Sequence, residues 1–170
     1  MLRFASINRL INLGPVILLY YLSFSEVDSH FESYFEILSF NIQLIIIYFW
    51  CLKRPELFGN GHIFFAGLIN DVVMGVPLGL SSLSYLIISL IATYIKNMTV
   101  NTSITTDWFT FFLAIFFSNL TFSILMSNFT EVEINIIDVS YNTFFTFIFF
   151  PFFWFFFTLY NSIITSGHNV

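Results

Sequence analysis

The chain has 170 residues, of which 58% are hydrophobic, 22% aromatic and only 9% charged, whereas about a quarter of an ordinary soluble domain is charged. So much apolar surface has lipid as its natural solvent, and the net charge of −5 comes with no basic run, which excludes nucleic acid as a partner. A single cysteine, Cys51, excludes an intrachain disulfide and a cysteine-rich zinc site.

Six spans of about 20 residues would use roughly 120 residues, leaving only short connectors. The first apolar run follows Arg3 and Arg9 and is expected to span 10–25, with Pro15 near its start. Ser23-Phe24-Ser25 also fits a signal-peptidase site. The span reading is preferred because the rest of the chain is itself suited to a membrane. An acidic connector holding Glu26, Asp28, His30, Glu32 and Glu36 leads to a second span at 35–52, closed by Trp50 at an interface position. Lys53-Arg54-Pro55 ends it with two cations and a helix breaker. The apolar middle reads as two spans, 62–76 and 80–95, hinged at Gly75-Val76-Pro77-Leu78-Gly79 and closed by Lys96. A fifth span is expected at 108–126. An acidic loop with Glu131, Glu133 and Asp138 precedes a sixth at 141–163, whose phenylalanine run is interrupted by Pro151.

With six spans, Arg3, Arg9, Lys53, Arg54 and Lys96 all fall on one face. The positive-inside rule makes that face cytoplasmic and places both termini there. The expected fold is therefore an all-α integral membrane bundle of six helices forming one transmembrane domain, with a Gly/Pro-hinged hairpin at its middle.

The hairpin segment carries the most information. Asp71 is expected near the centre of a span, where a carboxylate costs about 2.5–3.5 kcal/mol on insertion scales, so it needs a partner, as does its neighbour Asn70. Gly67, Asp71 and Gly75 recur every four residues and share a helix face, a spacing that allows another backbone to approach closely. Two readings follow. Asp71 either caps a neighbouring helix end or is a functional carboxylate in a groove.

Phe64, Gly67, Leu68, Asp71, Gly75, Pro77, Leu78, Gly79 and Leu80 together resemble the signature of the rod shape-determining MreD family. The likeness covers about a tenth of the chain in motif and the remainder only in length and span number. The resemblance implies a non-enzymatic inner-membrane subunit of the bacterial cell-elongation machinery. Its implied partners are an MreC-like protein, MreB filaments, and the RodA glycosyltransferase with its transpeptidase. It also implies a fold similar to the substrate-binding components of energy-coupling-factor transporters. The alternative function is therefore solute binding in a vitamin or small-solute transporter, with Asn70 and Asp71 in the pocket.

Enzymatic chemistry has little support. His30, His62 and His168 are scattered through connectors and span ends, no metal-binding or phosphate-binding motif occurs, and Asp71 is read as the only acid deep in a span. Ser81, Ser82 and Ser84 read as helix-packing residues. No cofactor and no metal are expected. A transport pocket would need polar groups from several spans, and only Asn41, Gln43, Ser118 and Asn119 stand out as candidates.

Overall fold

A computed structural model describes residues 2–25, 40–99, 103–130 and 135–166, with side chains from Leu13 to Thr165 within them. The acidic connector 26–36 with His30, the loop acids Glu131 and Glu133, His168, and the side chains of Arg3 and Arg9 lie outside the described residues. The described residues are all-helical, forming α1 (Leu2–Phe24), α2 (Ile42–Lys53), α3 (Asn60–Met74), α4 (Leu80–Met98), α5 (Ile104–Phe129) and α6 (Ile136–Ser166). Two of them, α5 and α6, are long and apolar enough to cross a membrane by length and composition.

The helix starts follow local chemistry. Asn41 caps α2 by accepting the Leu44 N–H at 3.2 Å, and Ser103 caps α5 by accepting from Thr106 N–H at 3.3 Å. Each side-chain oxygen satisfies one of the amides that a helix start leaves without a partner. These caps move boundaries relative to the hydropathy reading. Because Ser103 holds the first turn, α5 begins four residues before the expected span. Asn135 does the same for α6 by accepting from Ile137 N–H at 3.1 Å. At the other helix starts, Pro15 falls well inside α1 rather than in its first turn.

α2 is the centre of the bundle. α1, α3, α4, α5 and α6 each pack against the next in chain order, and α6 returns to α1, so five helices surround the sixth. This explains why nine consecutive residues of α2, 44–52, are all buried, since a helix that is apolar all round has no solvent face to spare. Trp50, expected at an interface, is instead packed against Phe157 and Tyr160 in the core. At 12 residues, α2 is about 18 Å long, short of the roughly 30 Å of a hydrocarbon core.

Side-chain pairs give the helix directions. Tyr48–Thr110 and Lys53–Asp107 run α2 against α5, while Asn41–Thr146 and Trp50–Tyr160 run it alongside α6. Gln43–Tyr85 and Cys51–Ser89 run it alongside α4. Lys53, Arg54 and the Lys96 end of α4 therefore gather at one end of the bundle. The α3–α4 turn, the end of α5 and the start of α6 gather at the other. α1 meets the first end through Tyr20, whose hydroxyl lies 3.3 Å from His62 Nδ1.

Candidate functional site

The α3–α4 hairpin is built by the residues that the sequence singles out. α3 ends in a Schellman motif: Gly75 is left-handed at φ 65°, its N–H donates to Val72 O at 3.3 Å, and Val76 N–H donates to Asp71 O at 3.1 Å. Pro77 follows and prevents the helix from continuing. Gly79, at φ 104°, then starts α4 without a side chain to cap it. Asp71 supplies that cap from eight residues upstream. Its Oδ2 accepts the Gly79 N–H at 2.7 Å and its Oδ1 accepts the Ser81 N–H at 2.8 Å. The carboxylate is fully buried and sits at the positive end of the α4 dipole. Of the two readings of Asp71, this is the helix-end cap.

Gly67 lies one turn before Asp71, against α4. A Cβ there would run into the Ser82 backbone, and Ser82 Oγ donates to Phe64 O at 3.0 Å across the same contact. Gly67→Ala should therefore lower stability by about 2 kcal/mol, the usual scale for overpacking. Gly14→Ala meets the hydroxyl and the outer ring carbons of Tyr160, the far end of a side chain rather than backbone, and should cost under about 1 kcal/mol. Denaturant titration of the two variants in micelles checks the order; equal losses would contradict it. Leu68 is half-buried, while Phe64 and Leu78 are exposed.

Asn70 extends the site to the central helix. Its Oδ1 accepts from Gln43 Nε2 at 3.1 Å, and its Nδ2 donates to Ser81 Oγ at 3.1 Å. Gln43 Oε1 in turn accepts the Tyr85 hydroxyl at 2.5 Å. Tyr85, Gln43, Asn70 and Ser81 thus close a polar loop through α4, α2 and α3. Beside it lies a cavity of about 310 Å³, lined from α2 to α6. Asn41, Asn70, Ser118 and Asn119, isolated along the sequence, all line it, together with Ser84, Ser123, Asp138 and Asn142. Asp71 does not line it, being turned into the hairpin. Ser118 Oγ donates to Ser84 O at 3.0 Å and fixes α5 against α4 at the cavity's inner edge.

No protein-family model matches this chain, and neither a curated protein nor a solved structure matches it significantly.

At the opposite end stands a feature that the sequence reading passed over. Asp107, one residue before the expected fifth span, is completely buried, so Asp71 is not the only acid within the bundle. Lys53 Nζ lies 2.9 Å from Asp107 Oδ2, and Trp154 Nε1 donates to the same oxygen at 3.2 Å. Lys53, read only as setting topology, is therefore also the counterion of a buried carboxylate. Arg54 donates to Thr165 Oγ1 at 2.8 Å. An acid in the first turn after a Ser103 cap was a visible signal, but its partners are 54 and 47 residues away in the chain. The two acids, Asp71 and Asp107, sit at opposite ends of the bundle and form no catalytic pair. Among the described residues no group of three metal-binding side chains occurs.

Proposed function

We propose that this chain is a non-enzymatic, multi-pass subunit of the bacterial cell-elongation machinery, similar to MreD proteins. In this reading it is a six-span bundle of the inner membrane with both termini cytoplasmic. It assists lateral peptidoglycan synthesis beside an MreC-like protein, MreB filaments, and a RodA-type synthase with its transpeptidase. The observation that carries the reading is the state of the motif: Gly67, Asp71, Gly75, Pro77 and Gly79 are all used to build one rigid hairpin. A carboxylate held by two amides is suited to fixing a shape rather than to proton transfer or nucleophilic attack. The hairpin leaves Phe64, Val72 and Leu78 exposed as apolar contacts for lipid or a partner helix. The gathering of Lys53, Arg54 and Lys96 at one end supports a single cytoplasmic face.

The cavity lends the transport alternative one supporting observation, since it brings together polar groups from four helices and from Asn41, the cap of α2. It does so without Asp71, which that alternative placed in the pocket. Depletion in a rod-shaped host separates the two readings. Cells should round, and affinity purification should recover an MreC-like protein. Cells that stay rod-shaped and yield no such partner would exclude the elongation role.

A further inference from the structure

The cavity lies at the end of the bundle away from Lys53, Arg54 and Lys96, and its chemistry is selective. Leu44, Met74, Phe122 and Val139 give it apolar walls, and no lysine or arginine is among its described lining residues. Among the described residues its single charged lining group is Asp138, which is exposed and has no ion-pair partner there. Some of its hydrogen-bonding capacity is unused. The Ser123 hydroxyl has no partner among the described residues, and Asn119 donates its amide to Thr143 at 2.7 Å while its carbonyl oxygen accepts nothing there. A volume of about 310 Å³ is at the lower end of small-molecule sites, enough for one ring system with a short side chain but not for a nucleotide or a lipid headgroup with its chains. An anion would enter against Asp138 with no lysine or arginine among the described lining residues to receive it, at a desolvation cost that the neutral hydroxyl and amide donors offset only in part.

From these features we infer that the cavity between α2 and α6 is a binding site for a compact amphipathic amine. Its ring lies against Phe122, Leu44 and Met74, its polar groups face Asn119 and Ser123, and its ammonium group is held at the mouth by Asp138. The inference stands apart from the cell-elongation reading, because either a scaffold or a transport subunit can carry such a site.

Three probes share one ring system and differ in charge: tryptamine, tryptophol and indole-3-acetate. Titrated calorimetrically into the purified full chain in nanodiscs, tryptamine should bind saturably at one per chain, at least fivefold more tightly than neutral tryptophol. Indole-3-acetate should not bind. Asp138→Asn should bring tryptamine down to the level of tryptophol and leave tryptophol unchanged. Ser123→Phe, which fills the cavity from a position whose side chain makes no hydrogen bond among the described residues, should abolish binding of both while the melting temperature stays within a few degrees. Absence of saturable binding by any probe overturns the proposal. So does binding of the anion equal to that of the amine, or binding that survives Ser123→Phe, which would indicate partition into lipid. Because binding is read on the purified chain, its failure leaves the cell-shape phenotype as a separate question.

Discussion

Replacing Lys53 with methionine should lower stability by about 3 kcal/mol, the low end of the cost of orphaning one partner of a buried ion pair. The low end applies because Lys53 is 21% exposed whereas Asp107 is not exposed at all. Methionine fills a similar volume, so the loss is electrostatic rather than a packing defect. Asp107 Oδ2 would keep only the Trp154 N–H, and Oδ1 has no hydrogen-bond partner among the described residues to begin with. The converse change is milder. In Asp107→Asn the freed ammonium can swing toward the bundle end and solvent, and the expected loss is about 1 kcal/mol. The double variant Lys53→Met/Asp107→Leu, which removes both charges, should be more stable than Lys53→Met alone. That result would give a coupling energy of the expected sign. Reversible unfolding in mixed micelles measures all three. A Lys53→Met loss no larger than that of Asp107→Asn would mean that Asp107 is hydrated rather than buried against Lys53.

This pair also shows what kind of information the sequence holds. Features fixed by near neighbours were legible: the Gly75–Gly79 turn, the apolar runs that became helices, and the need for Asp71 to find a partner. The cap itself was foreseeable as one of two outcomes, because a hairpin returns the start of the next helix to the residues just before the turn. The central place of α2 had a sequence sign too, since its stretch at 44–52 has no polar face, yet neighbouring spans look nearly as apolar. What escaped depends on contacts between distant segments. Asp107 falls between the polar connector and the expected fifth span, and only the folded bundle brings Lys53 and Trp154 to it. Trp50 resembled an interfacial belt residue, but aromatic rings of α6 surround it. The cavity was beyond reach because no helix contributes more than a few of its groups. Asn41, Asn70, Ser118 and Asn119 gain a common meaning only once five helices are assembled.

Asp71→Ala should cost about 3 kcal/mol, since it strips the acceptors from two amides at the start of α4 and a buried amide without a partner costs about 1–3 kcal/mol. The Ser81 amide is buried and contributes most, whereas Gly79 is partly exposed and can recover some of its hydrogen bonding from outside. No residue nearby can substitute, because Gly79 occupies the capping position and has no side chain. Asp71→Asn retains one carbonyl oxygen, and asparagine is itself a good cap. It should therefore lose less, about 1–2 kcal/mol, with the difference reporting the charge in the α4 dipole. Hydrogen exchange at Ser81 offers a local readout: its amide should exchange much faster in the alanine variant and only moderately faster in the asparagine one, while amides in the middle of α5 change little. The same ranking should appear in the cell. If the hairpin presents a surface to its partners, Asp71→Asn should keep more rod shape than Asp71→Ala. A protein in which Asp71→Asn loses all function yet melts like the parent would require the carboxylate to act on something other than α4, and the cap would then be a resting position rather than its purpose.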